Sequence, residues 1–155
     1  MTETLLRDGR TVFIAGEHED YYDPDFYIYN DVVVESADCS EYTIYTYPKE
    51  IFPPTDFHFS FLLPDRIIII GSMGYQQTRT NETPIFSLSL TDFSISHIQT
   101  SKVNPGRLNS QNCTMSHELR NGMHVFSAKQ NGVYFEISDR NWYWVQLEVT
   151  ANRKI

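Results

Sequence analysis

The sequence predicts an all-β fold, and three observations carry that expectation. Ile, Val, Thr, Tyr and Phe make up 55 of the 155 residues against four alanines, and branched or aromatic side chains suit a pleated, half-buried surface. Short apolar runs stopped by a small residue recur: Val12 to Gly16, then Ile67 to Gly71 with its glycine 55 residues later, then Met123 to Ser127 ending 56 residues after that. Tight-turn sequences separate alternating segments, with Asn121-Gly122 the strongest because both central positions of a type I′ turn need positive φ. The length suits one domain over 1–155, divided into units near 1–48, 49–104 and 105–150.

Each unit reads as four strands. In the first, Thr2 to Arg7 precedes the turn Asp8-Gly9, Val12 to Gly16 follows, and Phe26 to Val34 and Tyr42 to Tyr47 flank the longer turn Glu35 to Glu41. In the second, Phe57 to Leu63 and Ile67 to Gly71 form a hairpin about Pro64-Asp65-Arg66. Leu88 to Asp92 then aligns without a gap, 47 residues apart, on Phe135 to Asp139, and Ile95, Ile98 and Gln99 fall on Trp142, Val145 and Gln146. The third unit opens with Asn112 to Leu119 and crosses Arg120-Asn121-Gly122 into Met123 to Ser127. A recurrence near 50 residues with four antiparallel strands per unit is the pattern of a propeller blade.

Charge is unevenly placed. Nine acids and no Lys or Arg lie between Thr11 and Pro48, while the rest of the chain carries 12 basic and 11 acidic residues. Scattered basic residues beside such a region predict no nucleic-acid binding. No apolar run approaches the roughly 20 residues of a membrane span, and Met1 to Gly16 lacks the pattern of a signal peptide. With only Cys39 and Cys113, too few for a disulfide framework, the expectation is an unexported cytoplasmic protein that does not engage a membrane.

The chain resembles kelch repeats across nearly its whole length. The match rests on Gly16, Gly71 and Gly74, on Tyr29 and Tyr134 in third strands, on Trp142 and Trp144 in the last strand, and on the inter-blade segments Phe52 to His58 and Pro105-Gly106-Arg107. The segment His18 to Asp25 is similar to one in uncharacterised bacterial kelch-like proteins. The glycine doublet of such repeats stands here as Gly16-Glu17, Gly71-Ser72 and Ser127-Ala128. The resemblance implies a partial β-propeller of three four-stranded antiparallel blades, and a face that binds partner proteins. Known propellers close with about four to eight blades, so a second copy completing six blades, a separate partner, or descent from a longer protein would account for the ends.

Strand alternation places the second-to-third-strand loops and the inter-blade connections on one face: Glu17 to Asp25, Pro48 to Asp56, Ser72 to Pro84, Ser101 to Gln111 and Ala128 to Gly132. Loops on a rigid scaffold are where binding residues gather. The candidates are Glu17, His18, Glu19, Asp20, Tyr21, Tyr22, Asp23 and Asp25 of the acidic, Tyr-rich loop, with Asp56, His58, Tyr75, Arg79 and Arg107. The acids suit the Lys or Arg of a basic protein partner, with tyrosines as anchors. No cofactor is expected, although Asp20, Asp23 and Asp25 could supply oxygen ligands to Ca²⁺. No nucleophile elbow, zinc motif or phosphate loop is present. Cys39, set among Asp38, Ser40 and Glu41, is not expected to act as a nucleophile. These features predict a non-enzymatic interaction module, with a metal-dependent or carbohydrate-active propeller enzyme, or a degenerate remnant of a longer propeller, as alternatives.

Overall fold

Twelve strands build three antiparallel sheets of four in the computed structural model, which describes residues 1–18, 26–100 and 105–148. Blade 1 contains β1 (Thr2–Leu5), β2 (Thr11–His18), β3 (Tyr27–Glu35) and β4 (Tyr42–Tyr45). Blade 2 contains β5 (Phe59–Leu62), β6 (Arg66–Ile70), β7 (Ile85–Ser89) and β8 (Ile95–His97). Blade 3 contains β9 (Thr114–Arg120), β10 (Met123–Gln130), β11 (Val133–Ser138) and β12 (Val145–Leu147). Strand order follows chain order in every sheet, so the fold is all-β and propeller-like. Among the described residues no helix is long and apolar enough to cross a membrane.

The blades stack through two apolar layers. Val12, Ile14, Val32 and Val34 of blade 1 pack with Ile67, Ile69, Phe86 and Leu88 of blade 2, and Phe52 of the intervening connection fills the same layer. Ile68, Ile70 and Ile85 of blade 2 pack with Phe126, Ala128, Phe135 and Ile137 of blade 3, joined by Leu108 and Trp144. Alternate side chains of a strand point to opposite faces, so the unbroken run Ile67 to Ile70 serves both layers and is fully shielded from solvent. Near the stack axis β1 meets β5, where the Thr2 hydroxyl bonds to Ser60 Oγ at 2.6 Å and His58 Nε2 at 2.8 Å.

Several local expectations need correction. Gly16 does not end its strand: β2 runs on to His18, and Ala15 and Gly16, with φ of 45° and 108°, form an irregularity in the β2–β3 register. A Cβ on Gly16 would lie 2.4 Å from the Met1 nitrogen, and the backbone approach requires glycine. Ala128 to Gly132 is not a long loop, because Ala128 to Gln130 continue β10 and only the Asn131-Gly132 turn remains. Trp142 and Trp144 precede β12. Phe135 pairs with Gln146 whereas Leu88 pairs with Ile95, so the aligned third strands lead into turns of different length.

Candidate functional site

The connections between blades are sewn into the blades they join. Gly16 donates its N–H to the Thr55 carbonyl at 2.8 Å, and Thr55 donates to Tyr29 at 2.9 Å. One junction later, Ser72 donates to Leu108 at 3.2 Å and Ser110 donates to Phe57 at 2.7 Å. A Cβ on Gly71 would lie 2.4 Å from the Leu108 carbonyl oxygen, and its φ is +84°. The glycine after β6 is therefore dictated by the segment that leads into blade 3. These bonds draw the β4–β5 connection, the β6–β7 loop and Arg107 together on one face.

A buried carboxylate organises that face. Asp56 lies in the interior, and its Oδ1 accepts hydrogen bonds from the Gly74 N–H at 2.7 Å and the Ser72 hydroxyl at 3.4 Å, while its carbonyl accepts the Met73 N–H. Burial of a carboxylate is tolerated when donors replace water. Above this turn Arg79 and Arg107 converge on the Met73 carbonyl, their Nε atoms donating at 3.1 and 3.0 Å. Burial first and the neighbouring Arg79 second lower the Arg107 pKa, while Asp56 acts the other way. Tyr75 reaches back to blade 1: its hydroxyl accepts the Ile28 N–H at 2.7 Å, and its ring meets Phe26 edge-on at 6.0 Å.

Beside these residues, at the junction of blades 1 and 2, opens a cleft of about 360 Å³. Ile51, Pro53, Pro54 and Phe86 supply apolar wall, Ser72, Thr78 and Thr80 hydroxyls, and Lys49, Glu50, His97 and Arg107 ionisable groups. Its size lies within the range of small-ligand sites, and the mixture of apolar wall and few polar groups is typical of them. Phe86 is held by edge-on contact with Phe52 at 5.2 Å and by His97 at 5.3 Å, so this wall is anchored in the core.

The structure sorts the residues singled out from sequence into three groups. Tyr75, Arg79 and Arg107 come together on the loop-rich face with Asp56 beneath them, although Asp56 is interior and does not face solvent. His58, also interior, lies at the β1–β5 contact, and among the described residues its Nδ1 has no hydrogen-bond partner. Burial, followed by the charge of the chain's amino terminus, pushes the His58 pKa down to about 3. Glu17 is half-buried in β2 and His18 is exposed at its end, whereas Glu19, Asp20, Tyr21, Tyr22, Asp23 and Asp25 lie outside the described residues. Among the described residues no three His, Cys, Asp or Glu side chains gather closely enough to hold a metal ion.

Sequence reading missed the cleft itself. Its walls join Lys49 to Thr55 with Ser72 to Phe86, His97 and Arg107, and nothing in Lys49 to Thr55 announces that it will face Thr78 and Thr80. The sequence marks only the inter-blade segment Phe52 to His58, with its two prolines. No protein-family model matches the chain, and no curated protein matches its sequence.

Proposed function

We propose that this protein is a non-enzymatic interaction module of kelch-like kind, binding a protein partner through the loop-rich face of its three-bladed stack. The observation that carries this reading is the cleft between blades 1 and 2: its apolar wall is anchored through Phe86 and Phe52, and its polar rim is fixed by Asp56 and the two arginines. A pre-organised concave surface of this kind binds with little ordering cost. The kelch resemblance implies the same face.

Affinity capture with the full chain tests the reading when wild type is run beside Thr78→Trp, which fills the exposed cleft mouth, and Arg140→Ala, exposed in the turn between β11 and β12 and not among the cleft residues. Proteins retained by wild type and by Arg140→Ala and lost from Thr78→Trp support the cleft. Equal retention by all three refutes it.

A further inference from the structure

Three arginines of this acidic protein answer to carboxylates: Arg10 to Asp8, Arg66 to Asp65, and Arg120 to Glu118 and Glu136. Among the described residues no carboxylate lies within ion-pair distance of Arg79 or Arg107. Sharing the Met73 carbonyl as acceptor holds their guanidinium groups side by side, and their other bonds go to neutral oxygens. Arg79 Nη2 donates to the Gly74 carbonyl at 3.1 Å, and Arg107 Nη1 donates to the Thr80 carbonyl and hydroxyl at 3.3 and 3.1 Å and to the Glu82 carbonyl at 3.4 Å. Among the described residues Arg79 Nη1 and Arg107 Nη2 have no acceptor.

Carbonyl dipoles do not cancel two full charges. Among the described residues Asp56 is the carboxylate that acts on Arg107, and it is already engaged by Gly74 and Ser72. Lys49 and Glu50 also line the cleft. Free guanidinium N–H groups suit a carboxylate, which accepts such donors in charge-assisted bonds. The wall of Ile51, Pro53, Pro54 and Phe86 next to Arg107 suits an apolar neighbour of the anion.

We infer that the cleft receives an Asp or Glu side chain from an extended segment of the partner, the carboxylate held by Arg79 and Arg107 and an adjacent apolar residue resting on the proline wall. This rests on the reading of the loop-rich face as the interaction surface and names the chemistry that surface selects.

Titration of the isotope-labelled full chain with capped heptapeptides, followed by amide NMR shifts, tests the inference. The peptides carry leucines around one central glutamate, glutamine or phosphoserine. The glutamate peptide is expected to give saturable shifts at Gly74, Thr78 and Thr80, and the glutamine peptide to bind at least about tenfold more weakly, as a lost charge-assisted pair requires. Arg79→Gln, at an exposed position, is expected to erase that tenfold difference, and Arg140→Gln, which changes net charge equally, to preserve it. Equal binding of glutamate and glutamine peptides, a difference that survives Arg79→Gln, tighter binding of phosphoserine, or no saturable shift at millimolar peptide would each overturn it. Partner capture that still fails with Thr78→Trp while glutamate and glutamine bind equally removes the carboxylate preference and leaves the interaction face standing. Capture indifferent to Thr78→Trp removes the face.

Discussion

In blade 2 every residue from Ile67 to Ile70 is shielded from solvent, whereas along β2 of blade 1 buried Val12 and Ile14 alternate with half-buried Thr11 and Phe13. The flanking blades also differ from each other. The outer face of blade 1 mixes apolar and acidic side chains: Phe13 pairs with Val33 and with Glu3, Ile44 lies beside Val33, Glu35 lies beside Tyr42, and Leu5, Ile44 and Tyr42 are exposed by 67%, 62% and 61%. The outer face of blade 3 presents Ser116, Glu118, Ser127, Lys129 and Glu136, and Arg120 bridges Glu118 and Glu136 near a buried Val125. Unbroken burial along a strand therefore marks a blade with a neighbour on each side, and blade 3 covers its free side with its own charges.

The largest effects should come from breaking the two layers of blade 2 one at a time. Ile68→Ala and Ile69→Ala open cavities on opposite faces of the same strand, and each is expected to cost about 2–5 kcal/mol. Val33→Ala on the free face of blade 1 should cost less than about 1 kcal/mol. Urea unfolding followed by circular dichroism measures all three. If either isoleucine variant matched Val33→Ala, the corresponding junction would not be formed in solution.

How much of this was legible depends on the range of the interaction. The two-sided burial of β6 is visible in four consecutive isoleucines, and the hairpin turns are visible in Asn121-Gly122 because local φ requirements select those residues. Strand boundaries came within a few residues. What the sequence hid is non-local: Asp56 is buried because Gly74 and Ser72 fold over it, and His58 because Thr2, 56 residues away, closes on it. Arg79 and Arg107 were each singled out, but only the fold shows that they share one carbonyl. Gly16 and Gly71 looked equivalent and are not, since one meets the Met1 backbone and the other the next blade's connection.

That inequality yields the second prediction, on what a glycine in a junction costs against one in a free turn. Gly132 has φ +80° with open space around its missing Cβ, so Gly132→Ala should cost about 1–2 kcal/mol of left-handed backbone strain. Gly71→Ala carries the same strain plus a clash with the Leu108 carbonyl that neither backbone can relieve, and is expected to cost roughly twice as much or more. Equal losses in thermal melts would mean that the Leu108 segment moves aside freely.

Acid should open the first junction before the second. The buried His58 ring stays neutral in the fold, whereas the unfolded chain takes up a proton below about pH 6.5. Its contribution is complete above that pH and is lost as pH falls from 6.5 towards the folded value of about 3, by up to about 1.4 kcal/mol per pH unit. At the second junction His117 is only half-buried and bonded to His124 at 2.9 Å; burial, then His124, lowers its pKa. His58→Gln should flatten stability between pH 6.5 and 4 more than His117→Gln does. Equal slopes for wild type and His58→Gln would show that water reaches the first junction.

The smallest expected effect concerns the free side of blade 3. Arg120 bridges Glu118 and Glu136 at the surface, and its guanidinium pKa is raised by those two partners, Glu136 first. Exposed pairs are screened by water and salt and are worth about 0–1 kcal/mol, so Arg120→Ala should change unfolding stability by less than about 1 kcal/mol, and the difference should shrink further in molar salt. Val125 gives the variant a second meaning, because it sits on the outer face yet is buried, packed under polar side chains where Ile68 and Ile70 of blade 2 meet another blade. If Arg120 is also a lid, its loss removes the covering of an aliphatic side chain as well as two ion pairs, and that cost does not shrink with salt. A salt-insensitive loss of about 2 kcal/mol in Arg120→Ala, with Glu118→Gln nearly silent, would assign the side chain's methylenes rather than its charge to the closure of blade 3.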